Sequence, residues 1–283
     1  MKPAPFTYAR PDTVDEALEL LAQNGSDARI LAGGQSLVAM LNLRLVRPKV
    51  IIDIGRLTDL QYIKVKDGAL EVGAGVTQAM LEVWPALMES APFVAEVLPW
   101  VGHFQTRNRG TVCGSIAHND PSSELPLALA LLDGEVILKS KSGERRLNAS
   151  AFQTGLLQTA RNDHELLTAV RFPKALPDAG IAFREVARRH GDFAIVSVGA
   201  IAHSDGQIKL GVGGIAECPH VETLKVDALA NDFGDEIQQL AWRLGGYSDI
   251  HASARYRRDL LRRLTPLVIA QAREGAMNVP RSR

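Results

Sequence analysis

The sequence predicts an α+β fold in which a mixed region of helices and strands is followed by a smaller antiparallel unit. Three observations predict it: helices and short apolar strands alternate at the start of the chain, two glycine-containing hairpins follow, and an antiparallel meander precedes the C-terminal helices. Hairpins join antiparallel strands, so the early ones argue against a single parallel, doubly wound sheet. A length of 283 residues fits two domains of roughly 150 residues each.

The first elements are marked by local signals. Thr13–Glu16 has the pattern of a capping box, with a threonine at the cap and a glutamate three residues later, so a helix is predicted to begin there. Asn24-Gly25 is predicted to end that helix. Arg29–Leu31 is predicted to be a short strand, and Val50–Ile54 a buried one.

Two hairpins and two helices are predicted in the middle of the chain. Asp67-Gly68 lies between alternating apolar runs, which is a strong hairpin signal, and Ser142-Gly143 follows another apolar run. The strands are expected at Tyr62–Val65, Leu70–Val72 and Glu135–Leu138, and the helices from Thr77 towards Trp84 and over Leu125–Leu132.

The predicted domain boundary is a break between two prolines, Pro173 and Pro177. It gives a first domain over 1–175, with subdomains of about 1–55 and 56–175, and a C-terminal α+β domain over 176–283. In the second domain the strands are expected at Ile181–Ala187, Phe193–Ala202 and Ile208–Val212, and the closing helix at Ser253–Glu274.

Composition excludes several classes of protein. Lys and Arg number 32 and Asp and Glu number 32, so the net charge is zero, which argues against a protein that coats nucleic acid or an anionic membrane. The two cysteines, Cys113 and Cys218, are too few for a disulfide framework or for an iron–sulfur cluster held by this chain alone. We see no secretory signal and no apolar window of about 20 residues, so we expect a cytoplasmic protein without membrane insertion.

Two glycine-containing segments are candidate binding sites. The first, Ala32–Ser36, follows a short strand, and its adjacent glycines let successive N–H groups converge as in an anion-binding nest that suits a pyrophosphate. The same residues could also form a plain tight turn. Gly73-Ala74-Gly75 lacks the third glycine of the dinucleotide fingerprint because Gln78 occupies that position, so a Rossmann nicotinamide site is not expected.

The second candidate segment, Gln105–Pro126, is polar and punctuated by glycines between apolar helices. A loop of this length in a compact domain is usually functional, although a long surface loop is the alternative. The seven histidines show no metal-ligand spacing, and neither cysteine has a histidine base nearby in sequence. We therefore expect no metal site and no catalytic residue on this chain.

Four motifs occur in order along the chain. They are A-G-G-x-S at Ala32–Ser36, R-N-x-G-T-x-x-G-S at Arg107–Ser115, A-H-x-D-P-x-x-E-L-P at Ala117–Pro126 and R-R-x-G-D-F-A at Arg188–Ala194. On these motifs the chain resembles, over essentially its whole length, the medium, FAD-binding subunit of the molybdenum hydroxylases, the family of xanthine dehydrogenase and carbon monoxide dehydrogenase. Four motifs at the right spacing are far more specific than either glycine segment alone.

The resemblance implies a PCMH-type FAD-binding fold of two α/β subdomains, followed by a C-terminal antiparallel sheet with helices. It also implies a set of FAD-binding residues, namely Leu31, Ala32, Gly33, Gly34, Gln35, Ser36, Thr106, Gly110, Thr111, Val112, Cys113, Gly114, Ser115, Glu124, Leu167 and Arg184. The family commonly has T-I-G-G where this chain has Thr111–Gly114. Cys113 therefore either has ordinary backbone angles or lies in a shifted loop.

The resemblance further implies a subunit that relays electrons. In the family, a molybdopterin-binding large subunit hydroxylates the substrate, [2Fe–2S] clusters on a small subunit carry the electrons, and FAD passes them to an external acceptor. The expected assembly is a dimer of heterotrimers, with Arg107–Cys113 at the edge that faces the iron–sulfur subunit. The complex is expected to hydroxylate an N-heteroaromatic compound or to oxidise an aldehyde or carbon monoxide, and the sequence identifies neither the substrate nor the acceptor.

Two other functions stay open on the sequence alone. A self-sufficient FAD-dependent oxidase of the same fold would have its own small-molecule site, and substrate would bleach the flavin of the isolated chain. A scaffold protein that only retains the fold would purify without flavin and would not take up added FAD.

Overall fold

The computed structural model describes residues 2–174, 179–225 and 234–278. The elements of its first part are β1 (Thr7–Ala9), α1 (Val14–Asn24), β2 (Ala28–Leu31), α2 (Leu37–Asn42) and β3 (Val50–Asp53). The strands form a parallel sheet with β3 in the centre. The predicted first helix is confirmed: the Thr13 hydroxyl accepts the Glu16 N–H at 3.1 Å, and Gly25, with φ 49°, ends the helix.

The second part contains most of the strands between residues 63 and 173. They are β4 (Ile63–Lys66), β5 (Ala69–Gly73), β6 (Glu135–Ser140), β7 (Gly143–Asn148), β8 (Gln153–Gly155), β9 (Gln158–Thr159) and β10 (Leu166–Pro173). Five of them form an antiparallel sheet in the order β4–β5–β10–β6–β7, and β8 pairs with β9. Both predicted hairpins are confirmed. At the first, Asp67 and Gly68 have φ 49° and 71°, the positive values that a type I′ turn requires.

Short helices connect β5 to β6. They are α3 (Gln78–Glu82), α4 (Leu87–Ser90), α5 (Pro92–Val97), α6 (Phe104–Arg107), α7 (Val112–His118) and α8 (Glu124–Leu131), and α9 (Ala149–Phe152) follows β7. The helices predicted after Thr77 and over Leu125–Leu132 are confirmed as α3 and α8, each with slightly different bounds.

The prediction of one long loop over Gln105–Pro126 is wrong, because α6, α7 and the start of α8 occupy most of it. Glycine weakens the helix propensity of α7, but the Thr111 hydroxyl accepts the Gly114 N–H at 3.0 Å and caps the helix. Helix α8 is buried on nearly every face, so no amphipathic period marks its start in the sequence.

The third part is an antiparallel sheet in chain order, covered by a long helix. Its elements are β11 (Gly180–Val186), β12 (Val196–Ala202), β13 (Gln207–Gly213), β14 (His220–Lys225), α10 (Gly234–Leu244) and α11 (Ala254–Asn278). The predicted meander and closing helix are confirmed, and β14 is an additional strand. Pro177 lies outside the described residues, and the division into domains stays a prediction. None of the helices in the described ranges combines the length and apolar character that a membrane span requires.

Aromatic side chains join the second part to the third. Phe183 of β11 packs edge-on against Phe93 and Trp100, with ring centroids 6.3 Å and 5.9 Å apart. Next to them, a Cβ atom at Gly191 would lie 2.6 Å from the His103 ring, so the loop before β12 runs close against residues 102–103. These contacts bring the loop of the third part to the rim of the cavity described next.

Candidate functional site

A cavity of about 760 Å³ is lined by residues from all three parts of the molecule. The first part contributes Ala32–Ser36, the second contributes residues of α7, α8 and the β8–β9 region, and the third contributes Gly191–Phe193. The volume lies in the range of about 300 to 1,000 Å³ that is usual for sites of small molecules and cofactors.

The first glycine segment forms one wall of the cavity and has unused hydrogen-bond donors. Among the described residues, no protein atom accepts the N–H groups of the consecutive residues Gly33, Gly34, Gln35 and Ser36. Gly34 has φ 76°, a conformation that turns successive N–H groups to one side. Exposed, convergent N–H groups of this kind bind anions.

Gly33 brings the two predicted segments into contact. A Cβ atom on Gly33 would lie 2.1 Å from the Arg109 carbonyl oxygen and 2.7 Å from the Gly110 Cα atom. Both of these neighbours are backbone atoms and cannot rotate away, so any side chain at Gly33 would force the two segments apart. The structure thus places two segments that are distant in sequence side by side at the cavity wall.

The second segment is fixed by bonds to the chain before α3. The Gln78 N–H donates to the Gly110 carbonyl at 2.8 Å, and the Val112 N–H donates to the Val76 carbonyl at 3.1 Å. Gln78 also lines the cavity, and its buried Oε1 has no hydrogen-bond partner within the described residues. A buried acceptor without a partner is uncommon in folded proteins.

Cys113 has an ordinary backbone. It lies in the first turn of α7, and it is not among the residues with positive φ. Its Sγ donates to the Val72 carbonyl at 3.4 Å, and burial raises the pKa of the thiol above its usual value. Of the two explanations for the departure from T-I-G-G, the structure supports ordinary backbone angles, and a buried neutral thiol packs where the family commonly has glycine.

A buried carboxyl group forms another wall. Glu124 is the first residue of α8, is 3% exposed and lines the cavity. Burial raises its pKa to about 7, and the charge of Asp120 adds to that effect. On β11, burial and, to a smaller extent, the charge of Glu124 raise the pKa of Glu185 to about 8, and its Oε2 has no partner among the described residues.

Most of the predicted binding residues meet at this one cavity. Those that line it are Ala32, Gly33, Gly34, Gln35, Ser36, Thr106, Gly110, Thr111, Cys113, Gly114, Ser115, Glu124 and Leu167. Leu31, Val112 and Arg184 do not line it. Leu31 and Val112 pack behind the two segments, and the Arg184 guanidinium donates to Gln271 Oε1 of α11 at 3.1 Å.

Sequence reasoning missed several lining residues. Phe193, which is 58% exposed, and Asp192 lie inside the motif Arg188–Ala194, but no role had been assigned to them. Arg161 is a cationic wall residue whose guanidinium donates to the Asn162 and Glu165 carbonyls at 2.8 and 2.7 Å. The β8–β9 region belongs to no recognised motif, and only tertiary packing shows that it lines the cavity.

Metal ligands do not gather anywhere in residues 2–174, 179–225 and 234–278. His, Cys, Asp and Glu side chains form no cluster of three or more there that could hold a metal ion. Cys113 and Cys218 are both free thiols.

Comparison with known proteins gives consistent matches across the chain. Residues 4–175 match the family described as "FAD binding domain in molybdopterin dehydrogenase". The chain is 35% identical over 283 residues to 6-hydroxypseudooxynicotine dehydrogenase complex subunit alpha of Paenarthrobacter nicotinovorans, covering 96% of each chain. It is 34% identical to the glyceraldehyde dehydrogenase medium chain of Sulfolobus acidocaldarius, covering 94% of this chain and 97% of that one.

Solved structures match with the same coverage. A chain of quinoline 2-oxidoreductase from Pseudomonas putida 86 superposes with a TM-score of 0.87 and 32% identity, covering 98% of this chain and 100% of that one. A chain of carbon monoxide dehydrogenase from Hydrogenophaga pseudoflava superposes with a TM-score of 0.86 and 27% identity, covering 97% and 99%.

Proposed function

Because the chain belongs to the family of FAD-binding domains of molybdopterin dehydrogenases, as a medium subunit of the molybdenum hydroxylases, we propose that it binds one FAD non-covalently in its cavity. In this proposal it is the flavoprotein subunit that accepts electrons from [2Fe–2S] clusters of a partner and passes them to an external acceptor. The observation that carries the proposal is the run of unpaired N–H groups over Gly33–Ser36 at the cavity wall.

The residues present fit FAD. The N–H groups of Gly33–Ser36 would hold the pyrophosphate, and the segment Thr111–Ser115, most of which lines the cavity, would lie against the cofactor as the second loop. Gly33 leaves no room for a side chain, and the buried Gln78 Oε1 offers an acceptor that the protein leaves unused. The roles of Leu31, Val112 and Arg184 stay predictions, with Leu31 and Val112 acting from behind the segments.

Glu124 would accept hydrogen bonds from hydroxyl groups of the cofactor, and Leu167 would contact the edge of the cofactor. A carboxylate that accepts such hydrogen bonds is stabilised in its charged form, which offsets the burial that raises its pKa. When bound, FAD supplies the exchange between electron pairs and single electrons. The residues of this chain bind and orient it and exclude water from its buried side.

The partners belong to the same proposal. We place the molybdopterin cofactor on a large subunit and the [2Fe–2S] clusters on a small subunit, in a dimer of heterotrimers. In this proposal the electron source is another chain, in line with the relatives, whose names describe a complex subunit and a medium chain. Two free thiols fit a reducing compartment, and a cytoplasmic location is part of the proposal.

The edge proposed to face the iron–sulfur subunit is the one that contains Arg107–Cys113. Within that range Gly110–Cys113 are buried, whereas Asn108 and Arg109 are exposed. Beside them stand exposed apolar side chains, Val83 at 77% and Phe104 at 64%. Exposed apolar groups that cluster next to a binding site are typical of surfaces that a protein partner covers.

The substrate class follows the relatives. Their names refer to a nicotine derivative, quinoline, an aldehyde and carbon monoxide. We therefore propose that the complex hydroxylates an N-heteroaromatic compound or oxidises an aldehyde or carbon monoxide.

The FAD site is tested with substitutions in the first glycine segment. Gly34→Val should abolish FAD binding, because a β-branched side chain resists φ 76° and its Cβ would lie 3.2 Å from Val38 Cγ2. Ser36→Ala removes one neutral hydroxyl and should weaken binding by about tenfold or less. Gly68→Val is the control, because Gly68 has φ 71°, has open space around it and does not line the cavity.

The measurement is the FAD dissociation constant by flavin fluorescence. Acid precipitation of the holoprotein should release all the flavin into the supernatant. Native FAD affinity in Gly34→Val would show that the segment is a plain turn, and flavin retained in the pellet would contradict non-covalent binding.

The electron relay is tested by anaerobic stopped-flow absorbance. The isolated chain with FAD should show no flavin reduction by organic substrates, and adding both partner subunits with substrate should bleach the flavin. Full-rate reduction of the isolated chain by substrate would instead establish a self-sufficient oxidase, and failure to take up FAD would establish a scaffold.

A further inference from the structure

We propose that Asn119 is a positioning residue for the cofactor cavity: it holds the turn Gly155–Gln158 so that Leu157 forms part of the cavity wall. The inference rests on the proposed FAD site. It is carried by an arrangement of hydrogen bonds and backbone angles that neither the motifs nor the comparisons assign to any function.

Asn119 is anchored on its own helix. It follows the last residue of α7, and its N–H donates to the Ser115 carbonyl at 3.2 Å. Its φ and ψ are 50° and 46°, a left-handed conformation that asparagine tolerates better than most residues. Its side chain is fully buried, at 0% exposed; the Nδ2 finds partners inside the protein, whereas the Oδ1 has none among the described residues.

Those partners are all in the turn Gly155–Gln158. The Asn119 Nδ2 donates to the Gly155 carbonyl at 3.0 Å and to the Gln158 carbonyl at 2.7 Å. The Asn119 carbonyl accepts the Leu157 N–H at 3.2 Å. One residue therefore binds three of the four residues of the turn.

The turn depends on these bonds because it has little support of its own. Its strands, β8 and β9, form a two-stranded sheet with only short pairing, from Gln153 opposite Thr159 to Gly155 opposite Gln158. An isolated two-stranded hairpin is marginal in water. The two bonds from the Asn119 amide add to the few that the strands form with each other.

Leu157 is the strained residue of the turn. It has φ 55°, a conformation that is unfavourable for a branched, non-glycine side chain. Residues in such conformations persist only where surrounding contacts hold them, and they cluster at functional sites. Leu157 lines the cavity, whereas its neighbour Leu156, at 54% exposed, does not.

The two leucines therefore provide a matched pair. They are adjacent, chemically identical and similarly exposed, at 54% and 45%, but only Leu157 faces the cavity. Leu157→Ala should raise the FAD dissociation constant about tenfold, because apolar wall area is lost. Leu156→Ala should leave that constant unchanged.

Two variants at Asn119 distinguish the contribution of its side-chain amide from that of its backbone. Asn119→Gly keeps the left-handed backbone and the carbonyl that accepts from Leu157, but removes both Nδ2 bonds. Asn119→Asp keeps the size of the side chain and points an oxygen at the two carbonyls, which repel it. Both should weaken FAD binding by about tenfold or more, with Asn119→Asp the weaker binder.

The decisive measurement is a double-mutant cycle on the FAD dissociation constant of the full chain. If Asn119 acts through Leu157, the double variant Asn119→Gly/Leu157→Ala should bind FAD about as well as the weaker single variant. Multiplicative weakening would show that Asn119 acts independently and would overturn the proposal. So would a fall in the melting temperature of the apoprotein with no change in FAD affinity, because that pattern indicates a purely structural role.

The Leu156→Ala and Leu157→Ala pair needs no change at Asn119, so it tests the wall even where an Asn119 variant does not fold. Equal FAD affinities of these two variants would overturn the proposal. If the unmodified chain itself takes up no FAD, it is the proposed function that fails, and the two failures are thus distinguished.

Discussion

Two buried glutamates of this protein, Glu71 in the five-stranded sheet and Glu124 at the cavity, have environments that shift their pKa values in opposite directions. They are 5% and 3% exposed. Burial alone would raise the pKa of Glu71, but hydrogen bonds from Lys64 and Tyr62 and the charge of Arg171 outweigh it and lower that pKa. Burial, with a smaller contribution from the charge of Asp120, raises the pKa of Glu124 to about 7.

The difference lies in the partners that the fold supplies. Around Glu71, the Lys64 ammonium is 3.1 Å away, the Arg171 guanidinium 3.6 Å away and the Tyr62 hydroxyl 2.9 Å away. Around Glu124, the groups that perturb its charge include another acid and no cation. The carboxylate of Glu71 has all its partners within the sheet. An unpaired carboxyl group at a cavity is instead typical of a site where a bound ligand supplies the partners.

The largest expected effect is a loss of stability when a partner of Glu71 is removed. Arg171→Met removes a buried cation that contacts both Glu71 and Glu135, the latter at 3.0 Å, and leaves Glu71 with Lys64 and Tyr62 as its remaining partners. The free energy of unfolding should fall by about 1 to 3 kcal/mol, measured by urea denaturation of the apoprotein. Lys64→Met, at a half-exposed cation, should cost about 1 kcal/mol or less. Equal losses in the two variants would show that Glu71 is not held by a buried pair.

The second effect separates the two glutamates by function. Glu124→Gln should weaken FAD binding about tenfold or more, because charge-assisted hydrogen bonds are lost, while the apoprotein stays folded. Glu71→Gln should do the reverse, lowering stability and leaving FAD affinity unchanged. If Glu124 serves only as an acid at the start of α8, worth about 0.3 to 1 kcal/mol, apo and holo melting temperatures will fall together and the FAD dissociation constant will not change.

The smallest effect is a difference in pH dependence. Glutamates in the unfolded chain ionise near their ordinary value of 4.5, whereas Glu124 and Glu185 keep protons to about 7 and about 8 in the folded apoprotein. Their contribution to stability is therefore fully present below about pH 4.5 and is lost as the pH rises through about 8. Glu71, with a pKa lowered from 4.5, contributes stability that is fully present above about pH 4.5 and is lost as the pH falls below that value.

Urea denaturation of the apoprotein across this interval tests the sign. Glu185→Gln should flatten the decline of the unfolding free energy between pH 4.5 and about 8, and Glu71→Gln should not. An unchanged decline in Glu185→Gln would mean that this carboxyl is hydrated rather than buried without a partner.

Local signals in the sequence predicted those features that depend on only a few consecutive residues. The cap at Thr13 and the turn at Asp67-Gly68 depend on backbone angles and hydrogen bonds among a few consecutive residues, so both could be predicted. The motifs led to the family, and most of the binding residues predicted from it line the cavity. Two helices within Gln105–Pro126 were missed, because α6 has only four residues and α7 contains a glycine, which weakens helix propensity.

By itself, the sequence determined the elements, the glycine segments and the family. Only the tertiary structure decided which distant groups meet: Gly33 against the Arg109 carbonyl, Glu185 within reach of Glu124, and Asn119 beneath the turn that carries Leu157. The physical reason is the distance along the chain over which each interaction acts. Backbone angles and caps are set by neighbours in the chain, whereas burial, and with it the pKa of a carboxyl group or the need of an amide for a partner, depends on everything that packs around the group.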